Sequence, residues 1–99
     1  MKKYFLFKLF PPRPTFHLDM NEHEGAAMQQ HMQYWAGLIA QRTAVIYGPV
    51  FDPEGVFGLG ILEVDDEAQA TAIAAADPSV SLGVNTFALI PMDVGMIRE

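Results

Sequence analysis

Strand-like runs that are apolar at both odd and even positions constrain this chain more than any other feature. Residues 3 to 10 (KYFLFKLF) put Phe5, Phe7 and Leu9 on one side of an extended chain and Tyr4, Leu6 and Phe10 on the other. Residues 43 to 51 (TAVIYGPVF) repeat the pattern, with Val45 and Tyr47 set against Ile46 and Val50. Successive side chains of a strand point to opposite faces, and an antiparallel sheet with one wet face alternates apolar and polar residues. A sheet built from these runs has two apolar faces, and both need a cover.

The remaining elements decide what can supply it. The first run stops at Pro11-Pro12, which neither extends a ladder nor starts a helix. Residues 11 to 20 (PPRPTFHLDM) carry three prolines and no period, so they read as an ordered surface loop. Asn21 with Glu24 three residues on is a capping-box pattern, and a helix over 22 to 42 follows. At 100° steps Met28, His31, Met32, Trp35, Leu38, Ile39 and Arg42 share one stripe of that helix. Thr43 to Phe51 and Val56 to Val64 form a hairpin through Asp52-Pro53-Glu54-Gly55, whose residue types suit a type I turn. Asp66 with Gln69 repeats the capping pattern at the head of a second helix, 66 to 77, which Pro78 stops. Val84 to Met92 is a last strand, and Asp93 to Glu99 carries no pattern.

The order βαββαβ over residues 1–99 predicts a single α+β domain of ferredoxin-like type, an antiparallel sheet with two helices on one face, because both crossovers are right-handed. Two helices leave the opposite face bare. The expected cover is a second copy of the chain, a homodimer through the sheet face.

Charge and composition narrow the partners. Six basic against twelve acidic residues give a net charge of −6, and Lys2, Lys3, Lys8, Arg13, Arg42 and Arg98 are scattered, so neither nucleic acid nor an anionic membrane is expected. With no cysteine there is no disulfide, thiolate metal site or cysteine nucleophile, and a reducing cytoplasm is the expected home. Lys8 breaks the apolar run that follows Met1-Lys2-Lys3, and no small-residue cleavage site follows it, so no leader is expected there. No segment approaches the roughly 20 apolar residues of a membrane span.

Of the three histidines, His23 falls on the polar face of the long helix and His17 in the loop, whereas His31 sits in the apolar stripe between Met28 and Trp35. Asp77 shares a face of the second helix with Ala70, Ile73 and Ala74, and a carboxylate at a helix C-terminus asks for a compensating donor. With both helices on one sheet face, His31 and Asp77 can meet as a proton-transfer pair, the Asp fixing one ring nitrogen and leaving the other as a base. The bland readings are a core histidine satisfied by one hydrogen bond and a plain Asp-Pro helix stop. Arg13 and Arg42 carry the donor fork that suits a substrate carboxylate, and Met28 and Trp35 suit the wall of an apolar pocket. No metal is expected, because His31 lacks a second ligand at i+3 or i+4, and no glycine-rich phosphate loop precedes a helix.

RPTF at 13 to 16, Asp19-Met20, Glu24, Met28, His31, Tyr34-Trp35, GPV at 48 to 50, DP-x-G at 52 to 55 and Asp77-Pro78 together resemble the YciI-like family, the YCII-related domain, from about Arg13 to Met92. The resemblance implies a ferredoxin-like fold paired into a dimeric α/β barrel, with His31 and Asp77 on the positions of the family's proposed active site. It also implies kinship with muconolactone isomerase-type folds and with dehydrochlorinases of chlorinated aromatic breakdown products. Two departures stand out: Arg42-Thr43 where relatives often carry Gly, and Phe87-Ala88 where polar residues are frequent. The leading expectation is a small cofactor-free enzyme whose His31–Asp77 pair moves a proton on an organic acid, lactone or aromatic breakdown product, by isomerisation or dehydrochlorination. The alternatives are a non-catalytic dimeric module that binds a metabolite or protein, and a cofactor-free or haem-linked monooxygenase of similar architecture.

Overall fold

The computed structural model describes residues 1–99. Its elements run β1 (Lys3–Phe10), α1 (Phe16–Asp19), α2 (Glu22–Ala40), β2 (Ala44–Asp52), β3 (Gly55–Val64), α3 (Glu67–Ala75), α4 (Pro78–Ser81) and β4 (Thr86–Met92). The four strands form one antiparallel sheet in the order β2-β3-β1-β4, as the ferredoxin-like reading requires. None of the helices is long and apolar enough to cross a membrane.

The capping box at α2 is complete: the Asn21 side chain accepts from the Glu24 N–H, and the Glu24 carboxylate accepts from the Asn21 N–H. At α3 the box is rearranged, since Asp66 accepts from the Gln69 N–H but Gln69 reaches back to the N–H of Asp65. Helix α2 ends in a Schellman motif, with the Thr43 N–H on the Leu38 carbonyl and the Arg42 N–H on that of Ile39. That motif needs a left-handed residue, and Arg42 takes it at φ 63°.

Three expectations are corrected. The loop 11 to 20 contains the short helix α1, whose Phe16 is buried under α2 beside Ala27 and Val84. The buried stripe of α2 runs through Glu24, Ala27, His31, Trp35 and Leu38, so Met32 and Ile39 face outward. The second helix stops at Ala75, and Asp77 caps a separate helix, α4, with Ser79 N–H donating to its side chain.

The core lies between helices and sheet, where Phe5, Phe7, Leu9, Leu62 and Val64 meet Trp35, Leu38, Ala70 and Ala74. Burying aliphatic and aromatic side chains of this size stabilises a fold by about 1.5–3 kcal/mol each. On the far side of the sheet the register brings Leu6 opposite Ile61 and Ile90, and Val50 opposite Phe57. Ile46 and Ile90 there are 56% and 45% exposed. Lys8 lies over the Phe57 ring and Tyr4 donates to Glu63, so polar groups punctuate that apolar face.

Candidate active site

The site begins with a carboxylate held by the ends of two elements. Asp77 has no exposed surface, and its extended conformation (φ −55°, ψ 124°) turns the side chain back over the start of α4. There Oδ1 accepts from the Ser79 N–H and the Ser79 hydroxyl, both at 2.9 Å. Oδ2 accepts from Trp35 Nε1 at 2.9 Å and lies 2.7 Å from His31 Nδ1. Four donors thus converge on one buried carboxylate. Burial acts most strongly on Asp77 and by itself raises a carboxyl pKa; the His31 imidazole, the Trp35 indole and the Ser79 N–H together outweigh it, so the pKa lies below the ordinary 3.8. Asp77 is therefore ionised at neutral pH.

An ionised carboxylate only accepts, so the proton between the two groups belongs on Nδ1 of His31. His31 is 8% exposed, and its Nε2 has no partner in the chain and is not enclosed. The Tyr47 ring packs edge-on against the imidazole with centroids 6.0 Å apart, and it stacks on Trp35 at 5.9 Å. Trp35 can approach β3 this closely only because residue 60 is glycine: a Cβ there would stand 2.4 Å from the indole.

His31 lines a cavity of about 630 Å³ between α1, α2 and the β2–β3 hairpin. Its walls are mainly apolar, with Phe7, Phe16, Met28, Trp35, Tyr47 and Phe51 prominent. His17, Gln29, His31, Tyr47 and Asn85 are the polar side chains, and no Asp, Glu, Lys or Arg lines it. Asn85 donates Nδ2 to the Met28 sulfur at 3.2 Å, and its enclosed Oδ1 has no donor. No cluster of three or more His, Asp or Glu side chains gathers here or elsewhere.

The YCII-related domain matches residues 8–93, which takes in α1, both halves of the His31–Asp77 contact, the end of β1 from Lys8 onward and the other three strands whole. The chain belongs to that family. No curated protein matches it significantly. Among solved structures it is similar to an uncharacterized protein from Thermotoga maritima, with a TM-score of 0.55 and 11% identity over 94% of this chain and 100% of the other. That likeness supports the fold and says nothing of chemistry.

Within this YCII-related domain the structure brings His31, Asp77, Met28 and Trp35 together at or behind the cavity, and it does not bring the arginines there. Arg13 is fully engaged elsewhere: Nη1 and Nη2 donate to the two Glu24 oxygens at 2.8 Å, Nε to Asp19 Oδ1 at 2.8 Å, and Nη2 also to the Asp19 carbonyl. This clasp ties α1, and so the Phe16 and His17 wall, to the head of α2. It drives the Glu24 carboxyl down to about 2, chiefly through the Arg13 hydrogen bonds. Arg42 sits three turns of helix beyond His31, exposed at the C-terminus of α2. Its backbone role in the Schellman motif is independent of any ligand.

Sequence reasoning missed Tyr47 and Ser79 as site residues. Tyr47 reaches the helix side because a bulge between Ala44 and Ile46 inserts one residue, so Ala44 and Tyr47 share a face that strict alternation would deny them. Ser79 carried a local signal, since an Asp-Pro-Ser sequence is a natural capped first turn.

Proposed function

We infer that this protein is a small acid–base enzyme in which His31, oriented by Asp77, moves a proton on an organic substrate held in the cavity. The supporting observation is the buried Asp77 carboxylate, saturated by four donors and 2.7 Å from His31 Nδ1, with Nε2 left free beside an apolar cavity. In the proposed step Nε2 takes a proton from a C–H or O–H of the substrate, and the imidazolium that forms is stabilised by Asp77. For an isomerisation the same nitrogen returns the proton to another carbon. For a dehydrochlorination the electron pair expels chloride, and the proton passes from His31 to water.

The working unit in this reading is a homodimer joined through the sheet face opposite the helices. Ile46 and Ile90 on that face, with Leu6, Leu59 and Ile61 between them, form an apolar surface spanning all four strands, of the kind that stable homodimers bury. Sedimentation velocity is expected to show a dimer for the native chain and a monomer for Leu59→Lys; a native monomer at micromolar concentration contradicts the pairing.

The reaction is tested by following chloride release and solvent-deuterium incorporation with chlorinated hydroxyquinols and unsaturated lactones. His31→Gln is expected to abolish turnover and Asp77→Asn to lower it by about 10²–10⁴-fold. A His31→Gln protein that retains the native rate rules out the base. If instead His31→Phe stabilises the fold and no substrate is turned over, the pair is a structural tie in a binding module.

A further inference from the structure

Resting on the acid–base reading, we propose that the cavity selects a neutral, largely apolar aromatic molecule bearing a hydroxyl that donates to His31 Nε2, and that it rejects carboxylates. Three observations converge on this. First, the cavity wall contains no Lys or Arg. Arg13 is locked to Glu24 and Asp19, Lys2 is paired with Asp65, Lys8 lies over Phe57 on the opposite sheet face, and Arg42 caps the far end of α2. A carboxylate entering the cavity would leave water without gaining a counter-ion, which is strongly unfavourable.

Second, the charge nearest the base is negative, because the ionised Asp77 lies directly behind the imidazole and the whole chain carries −6. An anion held beside Nε2 favours the imidazolium form of His31, and that consumes the base. Third, aromatic rings from three elements wall the space: Phe16 from α1, Trp35 from α2, and Tyr47 and Phe51 from β2. A planar ring meets them face or edge on, as Trp35 and Tyr47 already meet each other. A hydroxyl on such a ring is a donor, which is what a free Nε2 acceptor pairs with.

Trp35 is the sole tryptophan, so its indole N–H signal in a ¹H–¹⁵N spectrum reports the cavity directly. The experiment titrates the intact protein with 2-naphthol and with 2-naphthoate, two ligands of one ring system that differ in charge. The expected result is a saturable shift with 2-naphthol and binding of 2-naphthoate at least about tenfold weaker. Gln29→Lys, which sets a cation in the wall, is expected to close that gap by raising the affinity for 2-naphthoate. Equal or tighter binding of 2-naphthoate to the native protein, or no saturable shift with 2-naphthol, overturns the proposal. The two readings fail separately: 2-naphthol binding with no reaction on any hydroxyaromatic substrate sinks the catalytic role and keeps the selectivity, whereas turnover of a carboxylate by His31 does the reverse.

Discussion

Replacing Gly60 by Ala tests how the site is built from the sheet upward. A Cβ at residue 60 would stand 2.4 Å from Trp35 Cη2, 2.5 Å from Cζ3 and 3.1 Å from Cζ2. Carbon atoms pack at about 3.5–4.0 Å, so the indole has to withdraw by roughly 1 Å. It has no free direction, since Phe7 packs on it at 5.0 Å, Tyr47 stacks at 5.9 Å, and Nε1 is fixed to Asp77 at 2.9 Å. Overpacking of this kind costs about 1–3 kcal/mol. Losing a hydrogen bond to a buried charge adds about 1.5–3 kcal/mol. The expected destabilisation is about 3–5 kcal/mol, read by urea unfolding, with a fall in Tm on the order of 20 °C for a domain of this size. Trp35→Phe removes the benzo ring that clashes, so Gly60→Ala in that background should cost under about 1 kcal/mol, a coupling of roughly 2 kcal/mol or more. A near-neutral Gly60→Ala, or equal costs in the two backgrounds, refutes the packing argument.

Two further outcomes follow from the ends of α2. Arg42→Gly is expected to stabilise the protein by about 0.5–1 kcal/mol in thermal or urea unfolding, because residue 42 is left-handed at φ 63° and glycine takes that conformation without strain; destabilisation would show that the arginine side chain makes an interaction outweighing its backbone cost. Glu24, with its folded pKa near 2 against an ordinary 4.5, favours the folded state above pH 4.5, and that contribution is lost as the pH falls from 4.5 towards 2. The stability gap between native protein and Glu24→Gln, followed by pH-dependent urea unfolding, is therefore expected to be widest above pH 4.5 and to close towards pH 2, and a gap independent of pH contradicts the Arg13 clasp.

Element order was readable because each boundary had its own local chemistry. Pro11-Pro12 ended β1, Asn21 and Glu24 began α2, and Asp52 to Gly55 turned the hairpin, each within a residue or two of the observed bounds. Periodicity placed His31, Trp35, Leu38 and Asp77 inward, along with Phe5, Phe7 and Leu9, and failed only at the margins of those faces. A 100° wheel put Met32 and Ile39 inside, yet the core took the neighbouring stripe, because Phe16 and the Arg13–Glu24 clasp draw the head of α2 inward on its Glu24–Ala27 side. Likewise the bulge in β2 moved Tyr47 to the helix face, and no single-strand pattern records a bulge.

Asp77 is instructive in another way. Its spacing predicts the last inward residue of a helix needing a donor, and it does face inward and takes four donors. It does so from outside that helix, as the cap of the next one, so its relation to the helix dipole is favourable where the opposite was expected. Arg13 shows the converse: a guanidinium in a proline-rich loop looked available to a ligand, and only the fold could show that Glu24 and Asp19 already occupy it.

Proton transfer at His31 requires Nδ1 to carry the proton and Nε2 to be bare. Long-range ¹H–¹⁵N spectra of the imidazole, recorded at a pH high enough to hold the ring neutral, distinguish the two tautomers directly. The native protein is expected to show Nδ1 protonated and Nε2 bare, with that preference lost in Asp77→Asn. A native His31 protonated on Nε2, or a tautomer unchanged by Asp77→Asn, contradicts it.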